Sequence, residues 1–352
     1  MSLVSNPDAL NGAYIMNKLL IILITSVTSL CLLCKTALAE DGAPDETLQA
    51  TFIDGFSLGG YSSASVIIPR SHSVEAAIDD VSLILRWEGD SRFKLFGELE
   101  LERPLSWNDD ERFNHKNAYF DLERLYLDYN LSEKLNLRAG RFLTPAGRWN
   151  LLHAAPLVWT STRPLVTSRL FPASTNGLML YGSVPMQNKA FEYTFFVETL
   201  KDQDKDNNEI MFRDVSGARL SLNNDVNIGL TLMTLRQTDP RSPAYRLVGL
   251  DFLTQMDRLE LSGEGYYRFA SNGQDGGSGA YLQSAYHLGN EWYGLARLET
   301  FQSPEEGSAE RWLIGATKRL KPNQLLKMEF VGGSGDLPDS PRGFVGSFAI
   351  LF

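Results

Sequence analysis

The 352-residue chain carries 33 Lys plus Arg against 43 Asp plus Glu, a formal charge of −10. That balance argues against nucleic acid as a partner. Its cysteines, Cys31 and Cys34, both fall in a short apolar run near the front, so beyond residue 39 disulfides, thiolate metal sites and cysteine nucleophiles are excluded.

Residues 1–15 fit no region of an export signal, and Met16 is the more natural start. Met16-Asn17-Lys18 opens a basic segment, Leu19 to Cys34 is apolar, and Ala37-Leu38-Ala39 has the small-x-small pattern of a cleavage site. The apolar run holds Thr25, Ser26, Thr28 and Ser29 and falls short of the roughly 20 residues of a spanning helix. The expected organisation is therefore 1–15 upstream segment, 16–39 cleaved signal peptide, and 40–352 a single domain. Residues 1–39 hold one acid (Asp8) and two bases (Lys18, Lys35), so the remainder carries −11.

After Ala39 no stretch is apolar for long enough to be a membrane helix. What recurs is period-2 alternation over about ten residues, punctuated by Gly, Asn, Asp and Pro. Val81, Leu83, Leu85 and Trp87 alternate with Ser82, Ile84, Arg86 and Glu88. Leu95, Gly97, Leu99 and Leu101 alternate with Phe96, Glu98, Glu100 and Glu102. Leu259, Leu261, Gly263, Gly265, Tyr267 and Phe269 alternate with Glu260, Ser262, Glu264, Tyr266 and Arg268. Charges at every second position cannot face a packed soluble core, but they can face a watery lumen.

About sixteen such segments are predicted, near 51–58, 76–88, 92–103, 118–131, 134–143, 176–184, 189–199, 213–223, 225–236, 244–254, 258–269, 278–288, 291–301, 308–319, 323–331 and 342–352. Short turns alternate with longer loops, among them 59–75, 104–117 and 144–175. The fold class is all-β: a transmembrane antiparallel β-barrel of about sixteen strands. A soluble sandwich would need a more apolar inner face, and no fixed-period repeat supports a solenoid. Trp87, Trp292, Trp312, Tyr129 and Tyr193 are expected on outward faces as interfacial anchors. The last segment places Phe344, Phe348, Ile350 and Phe352 on one face, and Gly343, Val345, Ser347, Ala349 and Leu351 on the other.

Segment 144–175 is the candidate constriction. From Asn150 to Thr175 it holds no Asp or Glu in an acidic chain, yet it carries His153, Arg163 and Arg169, with Arg148 just ahead. It is too apolar for a solvent-exposed loop and too long for a connector, and inward folding explains both. Glu98, Glu100 and Glu102 share one strand face with lipid-facing Leu99 and Leu101 between them, so they should line the lumen, with Asp128 oriented likewise. Facing charges across a constriction set up a transverse field that screens solutes by sign. The same arginines can instead pair with wall carboxylates and simply hold the loop down.

Other chemistry is thin. Asp202-Gln203-Asp204-Lys205-Asp206 starts like a calcium loop but has Asn207 and Arg213 where the turn glycine and the bidentate Glu belong. The histidines show no metal-ligand spacing, and Ser71-His72-Ser73 is not a triad. No metal or cofactor is expected.

The chain resembles bacterial outer-membrane porins, through the signal peptide, about sixteen strands, a longest loop after the fifth strand and the terminal Phe352. The stretch Leu137 to Pro145 is similar to strands of the phosphate-selective group. The resemblance implies a third long loop folded into the barrel, passive diffusion of small hydrophilic solutes or ions, and no enzymatic activity. It also implies an outer-membrane location amid lipid and lipopolysaccharide, recognition of Phe352 by the barrel assembly machinery, and a homotrimer. General porins place acids on the loop and bases on the wall, an arrangement this sequence inverts. A barrel plugged by its loop and serving as an anchor or scaffold is the alternative, and an outer-membrane hydrolase a further one.

Overall fold

In the computed structural model the described residues are 55–70, 73–89, 91–110, 112–152, 154–201, 211–238, 243–335, 337 and 340–352. The expected signal peptide, His72, His153 and the Asp202–Asp206 loop fall outside them. Sixteen long strands and one short one form a single antiparallel sheet closed on itself. They are β1 (Phe56–Pro69), β2 (Glu75–Glu88), β3 (Phe93–Asn108), β4 (Arg112–Asn114), β5 (Tyr119–Ser132), β6 (Leu135–Leu143), β7 (Ser174–Met186), β8 (Lys189–Glu198) and β9 (Phe212–Asn223), then β10 (Val226–Gln237), β11 (Ala244–Met256), β12 (Leu259–Ala270), β13 (Asp275–Gly289), β14 (Trp292–Ser303), β15 (Gly307–Lys321), β16 (Gln324–Ser334) and β17 (Gly343–Leu351). The short β4 pairs only with β3, as a ladder extension above the barrel wall.

Closure comes from β1 against β17, in register from Tyr61↔Leu351 to Pro69↔Gly343. Gly60 and Phe352 exchange both backbone bonds, at 2.8 and 2.9 Å, so no ladder edge is left open there. The expected first strand at 51–58 and loop at 59–75 are corrected here: β1 runs to Pro69 and the loop begins at Arg70. Its side chains at Ser62, Ser63, Ala64 and Ser65 are all small, which mutes the alternation that marks the other strands.

Connections at one end are tight, as at Asn290-Glu291, where both residues have positive φ (50° and 61°), the requirement of a two-residue hairpin turn matched to strand twist. At the other end they are longer, and 144–173 is the longest connection between described strands. Alternation sorts the strands into two faces. Leu250, Leu282, Leu298 and Ile314 are 50–64% exposed on the outside, while Arg297, Glu299 and Arg311 between them are buried. Trp87, Tyr129, Trp292 and Tyr193 lie within five residues of the tight-turn end of their strands, where an interfacial girdle belongs; Trp312 sits nearer mid-strand.

One departure from polar-in, apolar-out alternation matters for function. At the long-loop ends of β9 to β15 the inward positions are apolar too: Phe212, Val215, Met233, Leu235, Leu247 and Phe301 are buried in one cluster. Their partners in that cluster are Phe142, Ala146, Leu165, Val166, Leu170 and Phe171 from in and around the long connection.

The outward assignment makes a prediction. Leu298, mid-strand and 64% exposed, faces hydrocarbon, so Leu298→Arg should lower the unfolding free energy in lipid vesicles by about 2–4 kcal/mol. A urea titration that shows no loss would mean the face has been read the wrong way round.

Candidate pore constriction

Segment 144–173 contains a single helical turn α1 (Trp149–Leu152), a 3₁₀ turn at Ala155–Leu157 and a short helix α2 (Leu165–Arg169). Its two ends are clasped together. Thr144 N donates to Ala173 O at 2.8 Å, and the Thr144 and Thr175 hydroxyls bond each other at 2.8 Å. Asn150, fully buried, donates to both Thr144 O and Ala173 O at 2.9 Å and accepts from Arg163 Nη2 at 2.8 Å.

From that clasp the segment reaches the inward faces of strands far from β6 and β7 in the sheet. Backbone N–H groups of Arg148 and Trp149 donate to Glu264 Oε1 on β12 at 3.0 and 2.6 Å. Ser161 N and Thr162 N donate to the Glu329 carboxylate on β16, and Leu165 N donates to Glu299 Oε2 on β14 at 2.8 Å. Carbonyls are met from the wall in turn. Arg297 donates to Thr162 O at 2.9 Å, Arg311 to Arg163 O, and Lys327 to Ala155 O at 2.7 Å. Trp159 Nε1 donates to Glu260, and the Ser161 and Ser347 hydroxyls lie 2.6 Å apart. A backbone with little regular structure buried away from water has to find such partners.

Close approach at two points requires glycine. Gly147 has φ +61°, and a Cβ there would collide with the Glu264 carboxylate and the Tyr266 hydroxyl. A Cβ at Gly279 would press on Val166 of α2 at 3.0 Å.

The candidate residues are distributed as follows. Glu98, Glu100 and Glu102 share the inward face of β3. Glu98 is 1% exposed and takes bonds from Ser82 and Arg124. Glu100 and Glu102 border a cavity of about 450 Å³ together with Arg163 of the long connection. Asp79, Asp80, Asp121, Glu123 and Glu198 border it as well, against Arg103 and Arg141 as the other bases. Arg169 is elsewhere, bonded to Glu306 at 2.6 Å, and Arg148 is positioned by its backbone bond to Glu264. Asp128 is taken up by Arg138 of the adjacent strand in a two-pronged bond of 2.7 and 2.8 Å, next to a second cavity of about 290 Å³. The exposed Phe352 ring sits at the β1–β17 seam.

Sequence reasoning missed the anchors Glu264, Glu299, Glu329, Arg297, Arg311, Lys327 and Asn150. Each wall anchor occupies an inward position of its strand. The available signal was an unusual density of opposite charges two residues apart, Arg297-x-Glu299 and Lys327-x-Glu329.

No family model matches the chain. An uncharacterized protein of Aquifex aeolicus is 32% identical over 136 residues, 38% of this chain and 30% of that protein, so the matched part spans under a third of the relative's length. Among solved structures, the anion-selective porin from Comamonas acidovorans is 13% identical with a TM-score of 0.58, covering 84% of this chain and 98% of its own. The trimer form of OmpT from Vibrio cholerae is 9% identical at 0.57, covering 84% and 99%. The outer membrane channel DcaP of Acinetobacter baumannii is 12% identical at 0.56, covering 84% and 97%.

Docking of the segment is testable through the Ser161–Ser347 contact. Ser161→Cys with Ser347→Cys, in a chain otherwise without cysteine after residue 34, should form a disulfide on mild oxidation, visible as a changed gel mobility and a loss of free thiol. Two thiols that stay reduced would place the segment elsewhere. The closed sheet, its outward apolar face and these structural likenesses together give the chain the fold of the sixteen-stranded outer-membrane porins.

Proposed function

We propose that the protein is an outer-membrane porin, in which small hydrophilic solutes or ions diffuse passively through a water-filled barrel narrowed by segment 144–175. The carrying observation is the asymmetry of the wall. Charged side chains of β12 and β14 to β16 bond the segment, whereas those of β2, β3, β5 and β6 border two cavities. Solute moves along that side, past Arg163, Glu100 and Glu102 and then past Arg124 and Arg138. Sieving is by size and sign, and no bond is made or broken.

Carboxylates outnumber guanidinium groups in the larger cavity, so cations are favoured over anions there. Outer-membrane lipid and lipopolysaccharide surround the apolar belt, Phe352 serves the barrel assembly machinery, and the assembly is a homotrimer, as the trimeric Vibrio protein of similar fold would suggest.

Purified protein in planar bilayers should give discrete conductance steps, and in a salt gradient a reversal potential of cation-preferring sign. Glu102→Gln with Glu123→Gln should move that potential toward anion preference, most at low salt, because the Debye length falls to about 3 Å at 1 M. Folded protein without current would end the channel reading.

The scaffold reading draws on the apolar cluster that packs Leu165, Val166, Leu170 and Phe171 against the wall, a seal denser than sieving needs. Liposome swelling separates the two: a plugged barrel admits no small sugar, and the porin does.

A further inference from the structure

The 290 Å³ cavity carries more than sieving requires. Three guanidinium groups border it, those of Arg124, Arg138 and Arg219. Each is held by a carboxylate set into the wall. Arg124 donates to Glu98 and Arg138 to Asp128, while Arg219 bonds both oxygens of Asp251, whose side chain is 2% exposed. A guanidinium has five donors in a fixed fork, and a carboxylate takes two of them at most. The wall acids therefore orient these groups without exhausting them.

Aromatic faces fix the forks further. Arg138 lies 3.6 Å from the Tyr126 ring centroid and 5.1 Å from that of Tyr181, and Arg124 lies 4.6 Å from Phe96. Phe96 and Tyr126 are themselves stacked, 8° apart at 5.2 Å.

Two other kinds of surface meet the same space. Leu143, Pro145, Leu151 and Met179 form an apolar flank contributed by the long connection and the strands on either side of it. Glu192, the one carboxylate bordering the cavity among the described residues, accepts from the Ser221 hydroxyl at 3.2 Å. Cationic forks, one anionic acceptor and an apolar flank are thus gathered in a volume close to the lower bound of small-molecule pockets, about 300 Å³.

We infer that this cavity is a transit subsite for zwitterionic carboxylates that carry an apolar side chain, that is, solutes of amino-acid type. The carboxylate is received by the Arg124, Arg138 and Arg219 forks, the ammonium by Glu192, and the apolar body by Leu151, Pro145 and Met179. The carboxylate-rich cavity alongside reinforces the choice, since it opposes a purely anionic solute and tolerates one that brings its own positive charge. The inference rests on the channel reading and narrows it to a solute class. Binding here must stay weak enough for release, as conduction demands.

The test uses the whole barrel in liposomes and follows labelled L-leucine, N-acetyl-leucine, leucinamide and a neutral polyol of similar size. Leucine should enter about tenfold faster than N-acetyl-leucine, the cost of losing one charge-assisted contact, and also faster than leucinamide. Glu192→Gln should shrink the first ratio. Leu151→Ser should shrink the advantage of leucine over glycine, followed as a fifth labelled solute that lacks the apolar side chain and should enter wild-type liposomes more slowly. These two variants leave no wall acid stranded, whereas Arg138→Gln would strand Asp128 and confound folding with binding. Equal entry of leucine, N-acetyl-leucine and polyol overturns the subsite while leaving the channel intact. Ion current and polyol entry both absent would overturn the channel reading, and the subsite with it.

Discussion

Irregular backbone pressed against the inner wall of a barrel must have its N–H and C=O groups satisfied by that wall, because the contact face excludes water. That requirement organises this molecule. Glu264, Glu299 and Glu329 accept from successive backbone N–H groups of the long connection, and Arg297, Arg311 and Lys327 donate to its carbonyls. The wall charges are in turn balanced among themselves, as in Glu299 between Arg297 and Arg311. Buried ion pairs of this kind return little net stability against an apolar replacement, yet removing one partner is costly. Their value here is position: an apolar seal alone would hold the segment in place but not in register.

The consequence is a lumen with two unlike halves. One side is spent on anchoring, with Glu264, Arg297, Lys327 and Glu329 almost entirely buried. The other keeps its charges facing cavities, with acids toward the long-loop end around Glu100, Glu102 and Asp121, and aromatic-backed arginines toward the tight-turn end. The proposed sieving and the proposed solute class both follow from this division of labour. Neither would survive a symmetric, unoccupied barrel.

Much of this was legible in the sequence, for identifiable reasons. Period-2 alternation is strong wherever one face meets lipid and the other meets charge, so β12 was readable residue by residue and β3 from Leu95 to Glu102, whereas β3 runs on to Asn108 where a loop was expected. The signal fades where residues on both faces are small, as in Ser62 to Ser65 of β1. It says nothing of the lumen where the inner face is apolar too, as at Met233 and Leu235 of the correctly expected β10, because that face packs against the connection rather than water. The acid-free composition of 150–175 pointed to a loop that meets wall carboxylates. It did not say which ones, because partners more than a hundred residues apart, such as Trp149 and Glu264 or Ser161 and Glu329, are paired only by barrel geometry. Asn150 left no trace of its role, since nothing in a sequence marks an asparagine that joins two ends of a loop.

The most direct test of the central claim is thiol accessibility from the aqueous lumen during current recording. Glu102→Cys and Glu100→Cys place a thiol on the proposed passage, and Gln283→Cys, beside the anchor Arg297, and Thr317→Cys, bonded to Trp159 O, place one beneath the anchored segment. A charged, membrane-impermeant thiol reagent should cut the current through the first pair and leave the second pair unmodified. Modification and block at Gln283→Cys or Thr317→Cys, with Glu102→Cys and Glu100→Cys unaffected, would put the passage on the other side of the barrel and contradict the account.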